Sequence, residues 1–122
     1  MAAVLRALRG ATTLDDDTAG QVNDRVWALV GAMLERNGIG HDDLVSVLFT
    51  ATHDITSMFP ATAARSLGLG DVPLICATEL DIAGAMPRCV RVLMHFYTER
   101  TREELHHVYL EGARGLRDDL PD

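Results

Sequence analysis

The chain has 122 residues, 48% of them hydrophobic and 24% charged, which is typical of one folded domain with a core and excludes a disordered chain. Its net charge of −7 argues against a general nucleic-acid-binding protein, which needs positive charge to contact phosphates. No apolar run is long enough to cross a bilayer. The two cysteines lie thirteen positions apart and match neither a structural zinc site nor a disulfide-rich secreted domain.

The N-terminal segment alternates in the manner of a β-strand from Ala3 to Thr13. Its letters MAAVLRALRGATTL are apolar, contain arginine and lack acids, as in a transit peptide, but no cleavage-like site follows. We therefore interpret it as mature protein, which favours the cytoplasm. A Thr-x-x-Gln sequence at 18–21 resembles a capping box, and the apolar stripe after it predicts one long helix over 18–37, ended by an Asn-Gly pair.

The rest of the chain predicts short elements separated by turns. Residues 44–51 are rich in β-branched side chains and predict a buried strand, and Pro60 begins a short helix over 60–67. Further strands are expected at 72–76, after Pro87 and at 108–110, with one helical turn capped by Thr101 and Glu104 before the last of them.

The predicted order is β-α-β-α-β-β-β, an α+β fold in which a mixed β-sheet packs with one long helix and short helices. It forms a single domain over 1–122, with a tail that we expect to be mobile from about 117. One layer of helices covers only one face of such a sheet, and several strands look apolar on both faces. The uncovered face is therefore expected to meet another subunit, so that the chain forms an oligomer.

The stretch RCVRVLMHFY at 88–97 places Arg91 inside a strand, between apolar residues. An arginine is rarely buried without a partner, so either a carboxylate of the protein or a group from outside meets it. Arg9, near the end of the first strand, raises the same alternatives. A nearby surface acid explains each arginine taken alone, while the two together suit a dicarboxylate clamp.

Other candidate residues also have ordinary structural explanations. Glu79 follows a strand, as a solvated turn residue does. Cys76 suits a small core position more than a nucleophile, and Tyr109 suits core packing with a bonded hydroxyl. The five histidines are scattered, and His106 and His107 would point to opposite sides of a strand, so no metal site is predicted. The residues alone therefore predict a small oligomeric protein that binds an anion through arginine.

Four stretches in register resemble the AroH-class monofunctional chorismate mutases over nearly the whole chain. They are RALRGATTL at 6–14, SVLFTATHDITSMFPATAARSLG at 46–68, VPLICATELDIAGAMPRCVRVLMHFYT at 72–98 and HVYLEGARGLRDDL at 107–120. The resemblance implies a homotrimer with a pseudo-α/β-barrel arrangement and active sites between neighbouring subunits. It also implies an isomerase that rearranges chorismate to prephenate on the shikimate route to phenylalanine and tyrosine, with no cofactor and no metal.

The resemblance implies a role for each site residue. In the catalytic set, Arg9 holds a substrate carboxylate, and Arg91 faces the ether oxygen and a nearby carboxylate. Glu79 and Cys76 meet the ring hydroxyl, and Tyr109 contacts the carboxylate of the enolpyruvyl side chain. Residues around 59–79 are expected to face the group of Arg9, Arg91 and Tyr109 of an adjacent chain. Pocket wall, rim and tail contacts with the substrate are implied for Phe59, Arg65, Leu116 and Arg117.

Some positions depart from the family pattern. Where the family has a proline and a histidine, this chain has His53 and Thr56, and Thr62 and His106 replace a lysine and an arginine. Gly112 and Gly115 are expected to loosen the C-terminal segment. Two other functions stay open, namely a small enamine or imine deaminase on a similar trimeric barrel, and a trimeric binding protein without turnover. The paired RGATT and CATELD motifs do not belong to the deaminases.

Overall fold

The computed structural model describes residues 2–116. The predicted order of elements is confirmed, and short 3₁₀ turns lie at 41–43, 102–104 and 111–115. No helix in the described part of the chain is long and apolar enough to cross a membrane. Arg117 and the tail expected to be mobile lie outside the described residues. The main elements are β1, Val4–Thr13; α1, Ala19–Arg36; β2, Leu44–Ala51; α2, Pro60–Ala64; β3, Leu74–Thr78; β4, Cys89–Thr98; and β5, Val108–Tyr109.

Within the described residues, five strands form one mixed sheet in the order β3-β2-β4-β1-β5. β1 and β4 pair antiparallel along their whole length, from Val4 opposite Thr98 to Thr13 opposite Cys89. β2 pairs antiparallel with β4 and parallel with β3, while β5 joins β1 in parallel. The sheet therefore has β3 and β5 as its edges.

Both helices pack on one face of the sheet, which we call the helix face. α1 begins at Thr18, whose side chain accepts a hydrogen bond from the Gln21 backbone N–H at 3.2 Å, and its apolar stripe is buried against the strands. The predicted alternation of β4 is confirmed, since every second side chain points into this core. The β4 residues buried there are Val90, Val92, Met94 and Phe96.

Within residues 2–116, neither α1 nor α2 covers the opposite face of the sheet, the open face, and the 3₁₀ turn at 111–115 packs on only one part of it. Leu5, Ile75 and Tyr97 are 51%, 64% and 50% exposed there, and Leu48 and Leu93 are in register with Ile75. The prediction that strands are apolar on both faces is confirmed. A single chain thus exposes several large apolar side chains on this face, which is a feature of interaction sites.

Two local predictions at the helices were incomplete. The Gln21 side chain does not close a capping box with Thr18, because its oxygen accepts the backbone N–H groups of Asp15 at 2.8 Å and Asp16 at 3.1 Å instead. The helix expected over 60–67 ends as an α-helix at Ala64 and continues as a wider turn, in which Gly68 adopts a φ of 108°.

The strand predicted at 72–76 lies two residues later, at 74–78. The backbone N–H of Val72 donates to the Leu69 carbonyl at 3.1 Å, and this turn keeps Val72 out of the sheet. The register of β3 with β2, in which Ile75 pairs with Leu48 and Ala77 with Thr50, decides which way the next residues point. This register places Ile75, Ala77 and Glu79 on the open-face side, because side chains alternate along a strand.

Asn37 ends α1 as predicted and is almost fully buried. Its side-chain amide donates to the carbonyls of Met33 and His106, both at 2.9 Å, and its oxygen accepts the His106 N–H at 2.6 Å. Gly38 follows with a φ of 61°, a conformation that glycine adopts without steric cost. One amide therefore ties the end of the long helix to the segment that leads into β5.

Candidate active site

One row of residues crosses all five strands on the open face. In register across the sheet are Ala77 of β3, Thr50 of β2, Arg91 of β4, Ala11 of β1 and Tyr109 of β5. Partners in register share a face of the sheet, so Thr50, Arg91 and Tyr109 project from the same side. Ala11 lies between Arg91 and Tyr109 and is 1% exposed, because other side chains pack over it.

Glu79 closes one end of this row. Its backbone N–H donates to the Ala51 carbonyl at 3.0 Å, which extends the pairing of β2 and β3 past the end of β3. Its carboxylate accepts a hydrogen bond from the Thr50 hydroxyl and lies 3.5 Å from Arg91 Nε. A carboxylate of the protein therefore does meet Arg91. The Arg91 side chain nevertheless stays 45% exposed, and is open to a ligand as well.

The grouping of Glu79 differs from what the resemblance implies. Residues around 59–79 were assigned to the half of the site opposite Arg91, but Glu79 lies in the same group as Arg91 of its own chain. The reason is the alternation of side chains at β3. Glu79 is two residues after Ala77 and shares its face, whereas Cys76 points to the helix face.

Arg9 lies one diagonal step from Arg91 on the open face, because Arg9 pairs with Leu93 and Arg91 pairs with Ala11. The Arg9 backbone N–H donates to His107 Nδ1 at 2.9 Å, which holds the start of β5 against β1. Within residues 2–116 the Arg9 guanidinium has no ion pair, and Arg91 pairs only with Glu79. Arg9 and Arg91 share this face with Glu79, and this pair of arginines suits a ligand with carboxylates.

A small second core lies on the open face beside Arg91. Burial raises the pKa of the Cys89 thiol in this core, and the Arg91 guanidinium offsets only part of that effect. The thiol therefore stays protonated and packs as a small apolar group. Tyr109 and Leu116 both pack here, as their implied roles in one pocket require. The members of this core are Ala11, Cys89, Ala113, Met86, Tyr109 and Leu116.

Gly112 seats the C-terminal segment on β1. Its backbone N–H donates to Thr13 Oγ1 at 2.9 Å, and a Cβ atom at this position would lie only 2.8 Å from that oxygen. Arg25 of α1 adds a second attachment, since its guanidinium donates to the Thr13 carbonyl and lies 3.9 Å from the Glu111 carboxylate. The expectation that Gly112 loosens this segment is therefore wrong, because the missing side chain is what permits the close approach.

A cleft of about 310 Å³ opens beside β3, lined by Cys76, Ala77 and Thr78 and by the loop that joins β2 to α2. Cys76 is in register with Phe49 of the core and so lies on the helix face. Phe59, which is 71% exposed, lines the cleft from the loop. Arg65 lies on the exposed turn after α2 and is not among the lining residues.

The sequence of the chain matches one family model and several named proteins. The model of the family described as chorismate mutase type I matches residues 5–120. The chain belongs to this family. Proteins named chorismate mutase AroH are 42% identical in Thermus thermophilus, over 96% of this chain and 97% of the relative, and 37% identical in Bacillus subtilis, over 96% and 93%. A structure of a chorismate mutase from Clostridium thermocellum has a TM-score of 0.87 at 41% identity, over 89% of this chain and 97% of that one.

Membership of the type I chorismate mutases confirms the recognition made from the sequence motifs, and the structural likeness confirms the α+β fold. Within one chain, the residues with implied roles form two separate groups. On the open face lie Arg9, Glu79, Arg91, Tyr109 and Leu116. Phe59 and Cys76 lie at the cleft beside β3, and Arg65 joins neither group.

Sequence reasoning missed Thr50, whose hydroxyl donates to Glu79. The alternation of β2 places Thr50 on the open face, but its alignment with Arg91 depends on strand register, which one sequence does not give.

Asp54 was also missed. Its carboxylate accepts the Arg88 N–H at 2.9 Å and the Thr52 hydroxyl. Burial acts to raise the pKa of Asp54, but these hydrogen bonds outweigh it and lower the pKa.

Proposed function

We propose that the protein is a chorismate mutase that rearranges chorismate to prephenate, in the cytoplasm, on the route to phenylalanine and tyrosine. The observation that carries this proposal is the family match over residues 5–120, and the relatives that share nearly the whole chain are named for this activity. The residues that the mechanism needs are all present. They are Arg9, Cys76, Glu79, Arg91 and Tyr109.

A pericyclic rearrangement needs no nucleophile, no general acid or base, no cofactor and no metal. The enzyme holds the flexible diaxial conformer so that the two reacting ends meet, which lowers the entropic part of the barrier. It also stabilises the negative charge that develops on the ether oxygen as the carbon–oxygen bond breaks. A preorganised donor at such an oxygen contributes about 3–4 kcal/mol, or a few hundredfold in rate.

Arg91 is the donor in this proposal, directed at the ether oxygen and a nearby carboxylate. Its Nε lies 3.5 Å from the Glu79 carboxylate, an ion pair that favours one direction of the guanidinium before the substrate binds. Thr50 in turn holds Glu79 through its hydroxyl. Three strands thus orient one guanidinium, as electrostatic preorganisation requires.

The remaining contacts hold the substrate in place. Arg9, which has no ion pair within residues 2–116, takes a substrate carboxylate, and Tyr109 takes the carboxylate of the enolpyruvyl side chain. Glu79 and Cys76 meet the ring hydroxyl. Wall, rim and tail contacts are assigned to Phe59, Arg65, Leu116 and Arg117.

We also propose that the chain forms a homotrimer of the pseudo-α/β-barrel type with one site between each pair of neighbours. The side chains of Cys76 and Arg91 leave opposite faces of the sheet within one chain. A single substrate therefore contacts both only if they come from different chains. The exposed apolar surface with Leu5, Ile75 and Tyr97 supports burial of the open face between subunits.

Turnover of chorismate by the purified protein tests the proposed reaction. We expect chorismate to disappear and prephenate to appear in equal amounts, resolved by chromatography because the two are isomers. A protein that only binds chorismate would gain thermal stability from it without product. An imine deaminase would release ammonia from an imine substrate and leave chorismate unchanged.

Mixing inactive chains tests the shared site. Arg91→Ala removes the open-face group, and Phe59→Asp places a negative charge in the cleft wall that faces a dianionic substrate. Mixed oligomers of these two variants should recover part of the activity, because some interfaces combine two intact halves. Arg91→Ala mixed with Glu79→Ala should recover none, since both residues belong to the same half. Equal behaviour of the two mixtures after subunit exchange would rule out this division.

A further inference from the structure

Asp17 has no part in the mechanism above, yet its carboxylate binds the loop that lines the cleft. One oxygen accepts the Thr56 backbone N–H at 2.9 Å and the Thr56 hydroxyl at 2.7 Å. The other accepts the Ser57 backbone N–H at 3.1 Å. Hydrogen bonding from Ser57 and Thr56 lowers the pKa of Asp17 to about 2, so the carboxylate is ionised at any pH near neutrality.

These bonds act next to the cleft wall. Met58 and Phe59 follow Ser57 directly and line the cleft, and Phe59 is 71% exposed. Such an exposed ring has few neighbours to hold it, so its place depends on the backbone that precedes it. The other end of the loop is held separately, where Asp54 accepts the Arg88 N–H.

We propose that Asp17 is a positioning residue for the substrate: by fixing the backbone at Thr56 and Ser57 it sets the place of the Met58–Phe59 wall. The inference rests on the proposed function, since it assigns this wall to the chorismate site. It also explains one departure from the family pattern. The family has a histidine at position 56, and the Thr56 hydroxyl of this chain supplies one of the three bonds to Asp17.

One carboxylate oxygen of Asp17 accepts from Thr56 and the other accepts from Ser57, so Asp17→Asn is a specific test. An amide of the same shape keeps one accepting oxygen and turns the other into a donor that faces a backbone N–H or a hydroxyl. The backbone at Thr56 and Ser57 then loses a hydrogen bond to residue 17, while the hydrophobic core of the protein is unchanged. Loss of a hydrogen bond to a charged acceptor should raise KM for chorismate about five- to tenfold, with kcat within about twofold of the wild type.

Asp16→Asn is the matched control. It removes the same charge one residue away, and the Asp16 side chain makes no hydrogen bond or ion pair to any other residue in the range 2–116. A pure charge effect would change KM in both variants, and downward, because the substrate is a dianion. Thr56→Val is a second test variant that removes only the hydroxyl bond and should raise KM less than Asp17→Asn.

The experiment measures kcat and KM of the four proteins at a temperature at which each is fully folded, together with amide hydrogen exchange. We expect faster exchange at Thr56 and Ser57 and raised KM in Asp17→Asn, with Asp16→Asn unchanged in both. Unchanged KM in Asp17→Asn, or a fall in kcat alone, overturns the positioning role even though the wild type is active. If Asp17→Asn does not fold, an unchanged KM in Thr56→Val overturns it equally. A wild type without turnover refutes the proposed function itself, and with it the inference.

Discussion

Arg91→Lys tests the central step, because it keeps the charge and removes the planar fork. In the structure the Nε side of the guanidinium faces Glu79 at 3.5 Å, which leaves the terminal nitrogens for the substrate. Lysine has a single charged centre on a flexible stem and cannot hold both positions at once. Its ammonium either stays with Glu79 or follows the substrate without a fixed direction.

The expected loss follows from the value of one preorganised donor. Removal of a donor at a developing oxyanion costs about 3–4 kcal/mol, which is a decrease in kcat of about two to three orders of magnitude. KM should change much less, since the interaction is made mainly in the transition state. Glu79→Gln should act through the same guanidinium, so its effect on kcat should be smaller in the Arg91→Lys background than in the wild type.

The assay is steady-state turnover of chorismate by wild type, the two single variants and the double variant. Arg36→Lys is the control, because Arg36 is exposed at the end of α1 and should keep full activity. Near-normal kcat in Arg91→Lys would falsify the assigned role. Strictly additive effects of the two substitutions would show that Glu79 does not work by orienting Arg91.

Three further outcomes are expected. Gly112→Ala should lower Tm by about 4–10 °C, from an overpacking cost of about 1–3 kcal/mol against Thr13, and Thr13→Ala should restore part of the loss in calorimetry. The hydrogen bond to Asp71 raises the pKa of His41, so the stability that His41 adds is complete below its unfolded pKa of about 6.5 and is lost as the pH rises through the folded pKa. The Tm difference between wild type and His41→Ala should accordingly shrink with rising pH, and a difference that grows would contradict the assignment. Tyr97→Asp places a charge on the open face and should yield smaller particles in sedimentation, whereas an unchanged mass would exclude this face as the interface.

The sequence predicts much of the fold because its patterns are local. Alternation in β4 predicted which side chains enter the core, and Thr18 and the Asn-Gly pair at 37–38 predicted both ends of α1. The position of β3 was missed by two residues, because a hydrogen bond between Val72 and Leu69 closes a turn there. No propensity distinguishes the last residue of such a turn from the first residue of a short strand.

The site could be predicted only in part, for a different reason. Arg9, Arg91 and Glu79 are visible in the sequence as polar residues in or after apolar strands. Their meeting depends on the order β3-β2-β4-β1-β5 and on strand register, which bring together residues far apart in the chain. The contribution of Gly112 was reversed because a glycine looks flexible in a sequence, while in the fold it marks a close contact with Thr13.

The buried amide at the end of α1 has a consequence for chemical ageing. Asn-Gly is the dipeptide most prone to deamidation, in which the glycine nitrogen attacks the asparagine side chain. Here the Asn37 amide is held by Met33 and His106, and the Gly38 nitrogen is engaged with the Glu35 carbonyl. Deamidation therefore requires unfolding. It replaces the Asn37 amide by a carboxylate, which cannot donate a hydrogen bond to the carbonyl oxygens of Met33 and His106. Repeated heating should for this reason reduce the fraction of the protein that refolds on cooling.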